Sequence, residues 1–358
     1  MSTVELSIYD RGLYVPYVIA QSIEESVLLM ELPSGRFSVE AAAFLDPKVP
    51  EPFFVFEQDW EQFESDRLQF TLPRDFAQYV LQFTVREIDN GKLFTDLVSV
   101  RIGPSAPQNL LIRNARKQLL IYSDVQVGES LFFEAEQDIY IRYFPSTFPA
   151  AYPPFAEGDP GFSGFNQARK TEKLDPSESW SPDNYGMYYL SLDEEGESGR
   201  FIHCFNTAFP DLTNAYELIE ALRYIAKNKE YEAMVTASDP KAALDEFWLD
   251  RSGSPERAKV LIRTFYNRVR NANLFFTTYK EGWKTDRGMI YIIFGLPDRI
   301  LKKNDFEWWI YHHNDERPNT HFYFDYQENG SLVLRRYPML EMSWNLEIQK
   351  WRKGILEP

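Results

Sequence analysis

Gly282-Trp283-Lys284-Thr285-Asp286-Arg287-Gly288 separates two stretches whose apolar residues recur with different periods. Before it, Ala258, Leu261, Ile262, Phe265, Val269, Ala272 and Phe276 follow one another at spacings of 3, 1, 3, 4, 3 and 4. That is one continuous face of a helix. After it, Met289–Phe294 is apolar at every position, which reads as a strand covered on both faces. Phe306, Trp308 and Ile310 then alternate with Glu307, Trp309 and Tyr311, and Phe322, Phe324 and Tyr326 alternate with His321, Tyr323 and Asp325. Asn329-Gly330 marks a hairpin into Leu332 and Leu334, because both turn residues tolerate positive φ. The heptapeptide is therefore expected to be the corner between helix and sheet in an α+β module.

The chemistry of the heptapeptide fits a corner. Gly282 follows the long helix where a left-handed residue is wanted, and glycine takes that conformation without steric cost. Trp283 then folds back as an apolar anchor. Thr285 and Asp286 have short side chains able to satisfy backbone amides in a tight turn. Asp286 and Arg287 point apart in an extended chain, so Arg299 or an arginine of the long helix is the expected partner of Asp286. The catalytic alternative makes Asp286 an acid or base, with Arg287 or Arg299 holding an anion. General acid–base work needs a second positioned group, and a buried, paired Asp286 would end that reading.

Upstream, Leu218, Leu222 and Ile225 share a helical face. Asp239-Pro240 and Ser254-Pro255 each read as an N-cap followed by proline at the first helical position. The first hundred residues have period two: Phe37, Val39, Ala41 and Ala43, then Tyr79, Leu81, Phe83 and Val85, then Val98, Val100 and Ile102. With the hairpin dipeptide Asn90-Gly91, this describes an antiparallel β-sandwich. Residues 103–107 read as a linker. A second β-rich stretch alternates at Leu119 and Ile121 and at Ile139, Ile141 and Tyr143, and closes with strands at 188–192 and 201–205. The expected fold is thus multidomain: a β-sandwich over 1–105, a second over 109–208, and an α+β module of helices and a small antiparallel sheet over 211–358.

The pieces from about Glu230 to Arg336 resemble the GWxTD-domain family, bacterial proteins found largely in the Bacteroidota. The likeness is carried by Phe247-Trp248, by Arg263, Tyr266, Asn267 and Arg268, and by Gly282, Trp283, Thr285, Asp286, Arg287 and Gly288. Phe294-Gly295-Leu296-Pro297-Asp298-Arg299 and Trp309-Ile310-Tyr311 complete it. The resemblance implies a cell-envelope location, periplasmic or outer-membrane associated, and partners among other envelope proteins. It also implies export, often with a lipid anchor; no lipoprotein cysteine precedes Ser2, so such an anchor would lie outside this sequence.

Composition narrows the function. The net charge of −16 is uneven: residues 1–108 carry 8 basic and 17 acidic side chains, 109–210 carry 8 and 15, and 211–358 carry 22 of each. Without a basic stripe the chain is not expected to bind nucleic acid, which requires clustered Lys and Arg, nor an anionic membrane surface. Apolar runs are too short to cross a bilayer. Cys204 is the only cysteine, which excludes an intrachain disulfide and a cysteine zinc site; it reads as a buried small hydrophobe. His312, His313 and His321 lie near Asp315 and Glu316, but adjacent histidines on a strand face opposite ways, so no metal site is expected. There is no glycine-rich phosphate loop and no Gly-x-Ser-x-Gly elbow, and no cofactor is expected.

One long segment remains, residues 145–183, rich in proline, glycine and aromatics. Loops of this length are commonly functional or disordered. Phe148, Tyr152, Phe155, Phe162, Phe165 and Trp180 could grip a sugar ring or a protein, or fold back as a satellite cluster. The reading favoured by the sequence is a non-enzymatic protein–protein interaction component of an envelope assembly, in secretion or surface transport. A hydrolase-type site at Asp286 and carbohydrate binding by the 148–180 loop are the alternatives.

Overall fold

The computed structural model describes residues 4–6, 15, 17–21, 26–45, 51–62, 66–102, 110–121, 123–135, 137–145, 148–158, 168–196, 199–205, 208–303, 305–313, 318–327 and 331–355. The chain divides into two compact units. The first comprises Met1–Ser146, Ser163–Asn206 and Arg299–Asn304; the second comprises Thr147–Phe162, Thr207–Asp298 and Asp305–Pro358.

The first unit is built of antiparallel sheets. Strands β1 (Val4–Leu6), β2 (Tyr17–Gln21), β3 (Ser26–Leu32), β4 (Gly35–Phe44), β5 (Phe54–Gln62), β6 (Asp66–Thr71), β7 (Gln78–Glu87) and β8 (Leu93–Arg101) come first. They form a three-stranded sheet, β2-β3-β6, and a four-stranded sheet, β5-β4-β7-β8. The period-two reading holds on β7, where Tyr79, Leu81, Phe83 and Val85 are buried. A buried Phe or Leu stabilises the fold by roughly 2 kcal/mol through lost apolar surface. Tyr17 packs edge-on against Phe83 and Phe94, at 4.9 and 6.4 Å between centroids, and Phe56 packs edge-on against Phe70 at 4.6 Å, so the two sheets face each other as a sandwich. Gly91, φ 73°, closes the β7–β8 hairpin as its dipeptide predicts.

The second β region holds β9 (Leu111–Arg113), β10 (Phe132–Glu134), β11 (Ile139–Phe144), β12 (Lys170–Leu174), β13 (Gly186–Ser191) and β14 (Gly199–Cys204). Its four-stranded sheet runs β12-β11-β13-β14. Leu110, Leu131, Ile139, Ile141, Leu190, Ile202 and Cys204 share one apolar cluster. Burial pushes the Cys204 thiol up to about 11, away from reactivity. The linker expected at 103–107 lies outside the described residues. No sequence signal places β15 (Arg299–Lys302) in this unit, yet it pairs antiparallel with β1. Lys302 Nζ reaches Asp96 Oδ1 at 2.8 Å, and the same carboxylate accepts from the Tyr17 hydroxyl at 2.6 Å.

The second unit carries helices α1 (Ala215–Ala221), α2 (Asn228–Val235), α3 (Pro240–Ser252), α4 (Pro255–Phe276) and α5 (Asp286–Phe294), then strands β16 (Phe306–Tyr311), β17 (Thr320–Tyr326) and β18 (Leu332–Leu334), then α6 (Leu340–Arg352). The two proline starts are as expected. Asp239 accepts from the Ala242 amide at 3.0 Å and Ser254 from the Arg257 amide at 3.3 Å. The stripe on α4 is its buried face, with Leu261, Phe265, Val269, Ala272 and Phe276 at 2% exposure or less. Strands β16, β17 and β18 pair antiparallel in order, although Asn329-Gly330 falls outside the described residues.

The strand expected at Met289–Phe294 is instead the body of α5. A wholly apolar run has no period and suits either element when covered on every side. Met289, Ile290, Tyr291, Ile292 and Ile293 are all buried here, and Thr285 caps the helix they form. Helix α6 lies beyond the segments assigned from sequence, though its buried Leu340, Trp344 and Trp351 have helical spacing.

Glu230 ties three of these helices together. It accepts from Arg352 at 2.7 and 2.8 Å, from Arg251 at 2.8 Å and from the Lys227 amide at 2.8 Å. Arg352 first, then the Lys227 amide and Arg251, hold its carboxyl down to about 2 against desolvation. A carboxylate with a depressed folded pKa contributes stability that is complete above its unfolded pKa, near 4.5, and is lost as pH falls through about 2. Glu230→Gln should therefore cost about 2 kcal/mol at neutral pH. In urea denaturation the difference from wild type should shrink steadily below pH 4.5; a difference independent of pH would contradict the network.

Candidate functional site

The heptapeptide folds as a 3-10 turn, Gly282–Lys284, running into the start of α5. Its amides are satisfied locally. Gly282 N donates to Thr277 Oγ1 at 2.9 Å and Trp283 N to Asn273 Oδ1 at 3.1 Å, both acceptors lying at the end of α4. Thr285 is the N-cap of α5: Oγ1 accepts from the Gly288 amide at 3.0 Å and donates to the Gly282 carbonyl at 2.7 Å. Trp283 is 2% exposed, and the Tyr224 hydroxyl donates to its carbonyl at 3.0 Å.

Gly282 is not the left-handed terminator of the helix. Helix α4 ends at Thr277 in an extended conformation, and Gly282 does not have a positive φ. The requirement is steric contact. A Cβ on Gly282 would stand 1.9 Å from the Ala272 carbonyl oxygen, and a Cβ on Gly288 would stand 1.9 Å from the Gly282 carbonyl oxygen. Helix α4, the turn and α5 thus approach at backbone distance.

Asp286 is 5% exposed. Its partner is neither Arg299 nor an arginine of the long helix but Arg336, whose Nη2 lies 2.6 Å from Oδ1. Oδ2 accepts from the Leu334 amide at 2.9 Å. Arg287 approaches buried Glu307 at 3.6 Å and lies over the Phe276 ring. Arg268 of α4 donates to the Ile292 and Ile293 carbonyls at the far end of α5, where the helix dipole favours a cation. Arg299 belongs to β15 and is exposed. Lys284 is buried, 2.9 Å from Glu281; burial raises the Glu281 pKa while Lys284 opposes it.

Sequence reasoning placed nothing from residues 147–162 beside this turn. The Ala151 amide donates to the Lys284 carbonyl at 2.9 Å, and Lys280 Nζ to the Pro149 carbonyl at 3.1 Å. Phe148 packs edge-on against Tyr279. Arg336 Nη2 also donates to the Tyr152 carbonyl at 3.3 Å. A proline-rich segment has no period from which such packing could be read. Beside the turn lies a small depression, with room for little more than a water molecule, whose polar lining includes Thr278, Lys280, Thr285, Asp286, Arg287 and Ser331.

The six loop aromatics have separate fates. Phe148 is buried in the second unit. Trp180 is buried in the first, its Nε1 donating to Glu172 at 2.7 Å and its ring edge-on to Tyr188. Tyr152 is exposed and Phe155 half-buried, while Phe162 and Phe165 lie outside the described residues.

The histidines each have a local partner. The His312 amide donates to Asp298, His313 Nε2 lies 2.8 Å from Thr320 Oγ1, and His321 Nδ1 accepts from Trp308 Nε1 at 3.0 Å. His203 faces the Met187 sulfur in the core, and burial with nearby Arg200 lowers its pKa to about 3. Among the described residues no group of three or more His, Cys, Asp or Glu could hold a metal. Asp315 and Glu316 lie outside them.

Residues 186–353 match the family model of the GWxTD domain. No curated protein matches the chain.

Two substitutions check this geometry. Gly288→Ala should destabilise by about 3 kcal/mol or more in chemical denaturation, because the displaced atom is backbone and cannot swing aside. Asp286→Asn should cost about 3 kcal/mol by leaving the Arg336 charge buried without its counter-ion. Adding Arg336→Met to Asp286→Asn should restore part of that loss; a double variant no better than the single would show that the pair is not the source.

Proposed function

Because residues 186–353 of this chain are a GWxTD domain, we propose that the protein is a non-catalytic interaction component of a bacterial cell-envelope assembly, working in secretion or surface transport. The periplasm or the outer membrane, with a lipid anchor, is the setting this reading takes. Among the described residues no helix is long and apolar enough to cross a membrane.

The observation that carries the reading is a contrast within the second unit. The side chains of the signature turn are engaged by the fold itself, whereas the neighbouring surface displays large apolar groups. Tyr152 is 45% exposed, Tyr337 40%, Met339 81% and Met342 68%. Arg336 binds the Tyr152 carbonyl and the Tyr337 amide donates to the Pro154 carbonyl at 3.0 Å, so the two tyrosine segments adjoin. Met339 and Met342 lie one helical step apart at the start of α6. Contiguous exposed apolar groups mark interaction sites, and methionine adapts its shape to a partner. A hydrolytic role for Asp286 is disfavoured because both of its oxygens are bonded inside the domain.

The test uses tagged protein recovered from native envelopes. Wild type should return with a stoichiometric partner, and Met339→Ser with Met342→Ser should lose it while stability changes by no more than about 0.5 kcal/mol. Repeated recovery of wild type as a free monomer would overturn the proposal.

A further inference from the structure

Strand β5 is the outer strand of its sheet. It pairs antiparallel with β4, from Phe54 opposite Ala43 to Gln62 opposite Gly35, and with no other strand among the described residues. In such a pair every second residue turns its N–H and C=O away from the partner. The nine residues of β5 therefore present an open row of donors and acceptors about 30 Å long. An outer strand invites a further strand, and proteins blunt it with lysine, proline or shortness; β5 has none of these. Other outer strands of the first unit are managed: β8 has β1 packed beside it, β12 carries Lys170 and Lys173, and the Val125 amide meets β14 at the His203 carbonyl. The side chains of β5 alternate in character. On the solvent face Val55 is 65% exposed, and Glu57 and Asp59 are exposed as well. Glu57 stands directly opposite exposed Glu40 of β4, and none of the three carboxylates is in an ion pair among the described residues. Like charges facing each other across a strand pair are destabilising. On the other face Phe54 and Phe56 are only half-buried, although Phe56 packs on Phe70 of β6, so the apolar interior of the sandwich is incompletely covered along this rim.

We propose that the open edge of β5 receives an extended segment of another protein as an added strand, with lysine or arginine at alternate positions and apolar residues between them. Main-chain bonds along the edge supply the attachment, and the alternating side chains supply the selection. The cations lie beside Glu57 and Asp59 and relieve the Glu40–Glu57 repulsion, while the apolar residues cover Phe54 and Phe56. The charge of the region acts in the same sense, with 17 acidic against 8 basic side chains over residues 1–108, and steers a cationic segment toward it. A second copy of this chain is the wrong occupant, because β5 against β5 sets the same acidic row on both sides. Only the source of the segment, another envelope protein, rests on the interaction reading above. The edge and its preference for a basic strand belong to this chain and lie apart from Met339 and Met342.

The full chain is titrated with three capped synthetic heptapeptides, and binding is followed together with hydrogen exchange of the backbone amides of residues 54–62. The first peptide alternates lysine with valine, the second lysine with proline, and the third glutamate with valine. The lysine–proline peptide keeps the charge and length of the first but cannot form a ladder. Only the lysine–valine peptide should bind saturably and slow exchange at alternate amides of β5. Glu57→Lys combined with Asp59→Lys should keep or raise the Tm, since a lysine then faces Glu40, yet weaken lysine–valine binding at least about tenfold and admit the glutamate–valine peptide. Equal binding of the lysine–proline peptide, protection on a strand other than β5, or unchanged selectivity in the double variant would each overturn the proposal. So would a dimer of the free chain that protects the same amides, and the peptide arms decide without any variant. Failure here with partner recovery intact would leave the interaction reading standing, and the converse result would leave the strand-accepting edge.

Discussion

Three backbone segments meet where no side chain can intervene. The Ala272 carbonyl of α4 faces the α-carbon of Gly282, and the Gly282 carbonyl faces that of Gly288 at the start of α5, each 1.9 Å from where a Cβ would stand. Everything around the turn follows from this contact. With α4 and α5 so close, Thr285 can cap α5 while bonding back to Gly282, and Asn273 can hold the Trp283 amide from within α4. Trp283 has no exit except into the core. The apolar length of α5 is then buried on every side, which is why a run without period becomes a helix here.

The buried Asp286–Arg336 pair connects the start of α5 to the chain that follows β18. Removal of one member of such a pair is costly because the other is left desolvated. Arg336 also reaches the Tyr152 carbonyl, so the same side chain fastens the 148–156 segment to the turn. The signature thus acts as a junction of helices, sheet and a distant loop. Its acidic and basic residues are engaged inside the domain, and the groups turned toward solvent lie beside it, at Tyr152, Tyr337, Met339 and Met342.

Much of the candidate site was within reach of the sequence, though not its pairings. The glycines, Trp283 and the hydroxyl and carboxylate of Thr285 and Asp286 are legible as a corner because each suits a tight turn. The partner of Asp286 was not legible, since Arg336 lies 50 residues away and nothing local marks it. The role of Gly282 differs from its sequence reading for the same reason: a positive φ can be guessed from chain position, whereas a contact with Ala272 depends on packing. Loop 145–183 reads as one aromatic unit, yet Phe148 and Trp180 enter different cores.

By itself the sequence determined the elements whose information is local. Period two specified the strands of the sandwich, period 3.6 specified α4, and Asp239-Pro240, Ser254-Pro255 and Asn90-Gly91 set starts and turns, because each depends on neighbours within a few residues. Only the tertiary structure decided that Met289–Phe294 is helical, that β15 pairs with β1, that Arg336 neutralises Asp286 and that a proline-rich loop flanks the signature. Those outcomes depend on which surfaces remain to be covered once the local elements exist, and burial is blind to separation along the chain.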